Sequence, residues 1–183
     1  MEIKIKSKYV QAILLIITGI IFVGVCIEAG GFIFNTVYAL NKPSVAAHYW
    51  LNLDLSAVYN YDKGQFVVVT TYMIIPAVLR CIIFYLIIKL LMDKKLSLSQ
   101  PFSKYMTKFI SLMAWLALGT GLFSSWGANY VNWLESKKIA MPGIHEMRLG
   151  GADVWLFMGV VLLVIAQLFK RGLEIQSENE LTV

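Results

Sequence analysis

Apolar residues run along the chain in four long blocks, and polar and charged residues gather between them. The blocks cover 9–29, 66–92, 105–127 with an extension to 134, and 152–169. Each is long enough for a helix that crosses a bilayer, which takes about 20 residues. Start and stop signals adjust two of the bounds. Pro101 suits a first helical turn with Gln100 or Ser99 before it, and Ser103 is an alternative cap, so the third helix is drawn as 101–134. Lys170 and Arg171 suit a helix C-terminus and Gly172 the position after it, so the fourth is drawn as 152–171. The expected fold is an all-α membrane protein: one four-transmembrane-helix bundle over 1–183, a long loop (30–65) between the first two helices, and a non-helical tail at 172–183.

Composition strengthens that picture. The chain is 58% hydrophobic and 15% charged, with a mean hydropathy of +0.70. Soluble domains run at about 45–50% apolar and about 25% charged. The net charge of +5 reads as loop charge of a membrane protein, since no basic arm with base-stacking aromatics accompanies it. Direct nucleic-acid binding is therefore set aside.

Lys4, Lys6 and Lys8 resemble the start of a signal peptide, but the apolar run behind them exceeds about 15 residues and no A-x-A-like site follows. The first block is read as an uncleaved span. Of the sixteen Lys and Arg residues, ten flank one side (Lys4, Lys6, Lys8, Lys89, Lys94, Lys95, Lys104, Lys108, Lys170, Arg171) and five the other (Lys42, Lys63, Lys137, Lys138, Arg148). The richer side is expected to be cytoplasmic, with both termini inside, the long loop extracytoplasmic, and the protein in the inner membrane. The aromatic-rich loop, with Tyr49, Trp50 and Tyr59, should fold back onto the membrane surface or cap the bundle.

Small residues mark where helices approach in lipid. Ala117, Gly121 and Ser125 form such a row on the third helix, serving either a neighbour in the bundle or a second copy of the chain. Trp126, Tyr130 and Trp133 share a face at the outer end of that helix and read as an interfacial belt. Pro76 removes one backbone donor from the second helix and frees the Tyr72 carbonyl. Cys26 and Cys81 are expected about 10 Å apart in depth, and so as free apolar fillers.

Candidate chemistry is sparse. Arg80 is the one charge deep in a span, a default functional position. By depth, no carboxylate matches it, because Glu28 and Asp153 fall near the outer surface. Arg80 and Pro76 then mark either an anionic-ligand or lipid-headgroup site, or an arginine reaching for headgroups or carbonyls. Neither a metal spacing, a phosphate loop, a nucleophile elbow nor a paired-acid motif occurs, so no catalytic residue, metal site or cofactor is assigned. Membrane lipids are the one partner that composition implies.

SLSQPFSKYMTKFISLMA at the third helix and LLVIAQLFKRGLEIQSENELTV at the end resemble the bacterial membrane family known as domain of unknown function 2975. The resemblance rests on Pro101, Phe102 and Ser103, then on Phe169, Lys170, Arg171, Gly172, Glu174, Glu178, Asn179, Glu180, Leu181, Thr182 and Val183. It implies four spans and no established activity. It also implies association with a small helix-turn-helix regulator, because members are often encoded beside one. Pro101, Phe102, Ser103, Glu178, Leu181, Thr182 and Val183 are accordingly the partner-binding candidates. Two functions follow. One is a non-enzymatic regulatory or sensor-type membrane partner of a cytoplasmic protein; the other is a lipid- or small-ligand-binding bundle, or accessory transporter subunit, centred on Arg80.

Overall fold

The computed structural model describes residues 7–92 and 103–181. It contains five α-helices: α1 Ser7–Asn41, α2 Ser56–Tyr61, α3 Lys63–Met92, α4 Lys104–Ser136 and α5 Ala152–Leu181. Two short 3-10 turns, Pro43–His48 and Trp50–Asn52, fill the α1–α2 connection. The described residues contain no strand. Four helices, α1, α3, α4 and α5, are long and apolar enough to cross a membrane. By length and composition this is a multi-pass membrane protein.

The long helices pack in chain order: α1 on α3, α3 on α4, and α4 on α5. Among the described residues, α1 makes no close backbone approach to α4 or α5, nor does α3 to α5. The α4–α5 seam is built on missing side chains. A Cβ on Gly121 would lie 2.7 Å from Leu156 Cγ and 2.9 Å from the Ala152 carbonyl oxygen. One on Gly159 would lie 2.6 Å from Leu118 Cγ. Ala117 and Gly121 are buried and Ser125 half-buried, so the expected small-residue row lies largely inside the molecule.

At 1.5 Å per residue the 35-residue α1 is about 52 Å long, well beyond the about 30 Å of a hydrocarbon core. Its excess is used at the end carrying loops 42–62 and 137–151, the loop end. Ala29, Phe32, Thr36 and Ala39 recur at helical spacing there and are buried. Tyr49 inserts against them. Its hydroxyl donates to the Phe32 carbonyl at 2.7 Å and meets Thr36 Oγ1 at 2.7 Å. Its ring stacks on Phe32 and meets Phe66 edge-on. Burial pushes the Tyr49 phenol far above its usual range, so it stays neutral. The main apolar core gathers Tyr49, Leu55, Val58, Phe66, Leu134 and Met147 at this end, so the loop caps the bundle.

Several helix bounds differ from the sequence reading. The first helix continues past 29 to Asn41 because Gly30 and Gly31 do not stop it; the Trp50 ring lies where a Gly31 side chain would be, 2.3 Å from its Cβ position. The fourth continues through Gly172 to Leu181, so 172–181 is helix and not an irregular tail. Good helix formers such as Leu173, Glu174 and Gln176 outweigh one glycine there, and Ser177 Oγ donates to the Glu174 carbonyl at 2.8 Å. The α4 helix starts at Lys104, with Ser103 as its N-cap accepting from the Met106 amide. Pro76 is buried within an α3 that runs on as helix to Met92.

Candidate functional site

Arg80 lies near the middle of α3, and its partner is Glu28 on α1. Arg80 Nη2 is 3.3 Å from Glu28 Oε1, and both side chains are largely buried. The Nη2 hydrogens are not aligned on that oxygen or on any other acceptor, so the attraction is Coulombic and a donor is left over. Arg80 Nε donates to the Pro76 carbonyl at 3.2 Å, which ties the two sequence candidates into one unit. The second oxygen of Glu28 is ion-paired with Arg148, 3.0 Å from its Nε. One carboxylate thus sits between two guanidiniums, with one positive charge in excess.

This overturns the expectation that no acid reaches Arg80. The error was one of register. Aligning the spans 9–29 and 66–92 at residues 9 and 92 puts Glu28 level with about residue 73, roughly 10 Å from Arg80 at helical rise. The observed register is set by polar groups along α1 and α3: Gln11 Nε2 donates to the Leu91 carbonyl at 2.8 Å, Cys81 Sγ to the Val25 carbonyl at 3.2 Å, and Glu28 reaches Arg80. The same shift brings Cys81 Sγ to the carbonyl of Val25, the residue before Cys26, contrary to the expected separation of the two cysteines. Both cysteines are free.

Arg148 comes from the α4–α5 connection, where its backbone is left-handed at φ 60°. Its side chain is half-exposed and lines a cleft of about 800 Å³ at the loop end. One wall carries Asn52 and Asp54, the other Met141, His145 and Glu146. Strain concentrates here: of the four non-glycine residues with positive φ among the described residues, Leu51, Asn52 and Arg148 line the cleft. The walls are held locally. Asp54 accepts from the Ser56 amide at 2.9 Å and its hydroxyl at 2.5 Å, and these bonds hold its carboxyl below the usual range. Glu146 accepts from the Gly143 amide at 3.3 Å. The His145 ring lies over Gly150, with Nδ1 2.4 Å from where a Cβ would be.

The other candidates stand apart from this cluster. Ser103 is a helix cap, and Glu178 is exposed near the end of α5. Leu181 is the last helical residue. Pro101, Phe102, Thr182 and Val183 lie outside the described residues. Among the described residues no group of three or more His, Cys, Asp or Glu is placed to hold a metal ion. Sequence reading missed Glu28 and Arg148 as site residues. The available signal was that Glu28 is the lone acid of its span and Arg80 the lone cation deep in the next.

No curated protein matches the chain, and no solved structure does. A family model does, over residues 39–183. The matched stretch contains Arg80, Arg148 and the whole of α5, and begins after Glu28 and Cys26. The four-span layout and that match lead to the same place: the chain belongs to the family described as protein of unknown function DUF2975.

Proposed function

We propose that the protein is a non-enzymatic, sensor-type membrane protein that takes a small polar ligand in the cleft at its loop end. On the Lys and Arg distribution that end faces the extracytoplasmic side of the inner membrane, with both termini inside. The observation that carries the reading is the double engagement of Arg148, which lines the cleft and also holds Glu28, itself 3.3 Å from Arg80. A ligand that draws the Arg148 guanidinium away changes how Glu28 is shared and so shifts α1 against α3. Differential contacts of this kind are what let a ligand bias a two-state element.

At the other end, α5 continues ten residues beyond Arg171 as helix. That extension, with the cap at Ser103, is the face offered to a cytoplasmic partner, and the family resemblance favours a small helix-turn-helix regulator. The deciding experiment is co-purification with such a protein encoded beside the gene, combined with its reporter output. Removing 172–183 should abolish capture. Arg148→Gln should leave capture intact and alter the reporter. Unchanged capture and unchanged reporter in both variants sink the reading.

A further inference from the structure

Two cysteines lie close together where α1 packs on α3. Cys81 Sγ donates to the carbonyl of Val25, the residue before Cys26, at 3.2 Å. Cys26, the next residue along α1, is near enough for the two thiols to interact electrostatically. Both cysteines are free and half-exposed. Both sit within helices long and apolar enough to span a membrane, so that in a bilayer their open sides would face lipid rather than water. Cys81 adjoins Arg80 in the chain, and Cys26 lies two residues from Glu28, so the thiols share the interface that the ion pair holds in register. A disulfide needs its two Cα atoms within about 7 Å, and the 3.2 Å approach of Cys81 Sγ to the backbone carbonyl beside Cys26 brings the two residues together in one seam at that scale.

We infer that Cys26 and Cys81 form a redox-modifiable pair that a lipid-soluble quinone closes to a disulfide between α1 and α3. In the step two S–H bonds break and one S–S bond forms. The two electrons and two protons released pass to the quinone, which leaves as the quinol. The choice of oxidant follows from location, because a solute confined to water does not reach half-exposed groups inside a span. A fully substituted quinone ring suits it further, since such a ring offers the thiols no free carbon for addition. The closed bond fastens α1, which otherwise packs on the other long helices only through α3. It does so within one helical turn of Glu28–Arg80 and fixes the register that pair sets.

The test uses the full chain in vesicles, reduced, freed of reductant, and exposed to a short-chain, fully substituted quinone. Free thiols are counted after unfolding by the mass that a maleimide adds. Expected is the loss of both thiols from the same chain, one quinol formed per chain, migration as a single chain without reductant, and recovery of both thiols with dithiothreitol. Cys26→Ser and Cys81→Ser should each keep the remaining thiol free under the same exposure. The inference is overturned if both wild-type thiols stay free, if either gains the mass of a quinone, if the bond joins two chains, or if a single-cysteine variant loses its thiol at the wild-type rate.

Discussion

The α4–α5 seam and the α1–α3 seam solve one problem in opposite ways. Between α4 and α5, backbones approach because side chains are absent, with Gly121 against Leu156 and Gly159 against Leu118. Between α1 and α3, the contact is pinned by polar groups: Gln11 on the Leu91 carbonyl, Cys81 on the Val25 carbonyl and Glu28 beside Arg80. The first kind of seam depends on shape and tolerates little sliding, because a packed interior is not continuously deformable. The second depends on a few discrete bonds, each of which can be exchanged for another. The two seams are thus held by different means, close backbone packing in one and a few polar contacts in the other.

The sharpest break of that contrast is Glu28→Ala. It leaves Arg80 and Arg148 facing each other without their shared anion, and removing one partner of a buried pair costs about 3–5 kcal/mol. Thermal unfolding in detergent should show the largest loss of any single variant here. Replacing both Glu28 and Arg80 by Leu should recover most of it, since well-packed apolar residues often equal a buried pair. A double variant as unstable as Glu28→Ala would mean that the pair, and not its imbalance, holds the seam.

Gly121→Val tests the other seam. Its Cβ would lie within 2.9 Å of the Ala152 backbone oxygen, which cannot rotate away. Overpacking of this kind costs about 1–3 kcal/mol, and the same melt should report it. A neutral result would show that α4 and α5 slide as readily as α1 and α3. Ser103→Ala, which removes the α4 cap bond to the Met106 amide, should cost about 1 kcal/mol, measured by chemical denaturation.

The smallest effect is one of pH. Asp54 bonds Ser56 as a carboxylate, so its folded pKa lies below its unfolded value of 3.8. A depressed folded pKa means the stabilisation is present above about 3.8 and lost as pH falls through the folded value. Melting midpoints of wild type and Asp54→Asn should therefore converge below that pH and separate above it. Curves that run parallel across the range would remove Asp54 from the cleft wall's support.

Much of the fold was legible because lipid imposes a simple rule: apolar blocks of sufficient length become helices. The four spans follow from that rule. What it could not show is where a helix stops once it leaves the membrane. The buried stripe of Ala29, Phe32, Thr36 and Ala39 looks like ordinary loop composition unless the cap that covers it is already known. Register was hidden for a related reason. Matching spans by their hydrophobic edges assumes equal heights, whereas α1 overshoots its neighbour. The candidate site inherited the error, so Arg80 was found and Glu28 was placed out of its reach. Arg148 was counted as loop charge, since nothing in the loop's residue order reveals its turn back toward α1.

The shared glutamate also has a consequence for how the chain is made. Glu28 leaves the ribosome about fifty residues before Arg80 and about 120 before Arg148. At about 5–20 residues per second, α1 waits roughly 3–10 s for its first counter-charge and up to about 24 s for its second. During that interval a carboxylate-bearing helix has no partner in the bilayer. The α1–α3 register therefore completes only after α3 is made, and the Arg148 contact only after the α4–α5 connection is made.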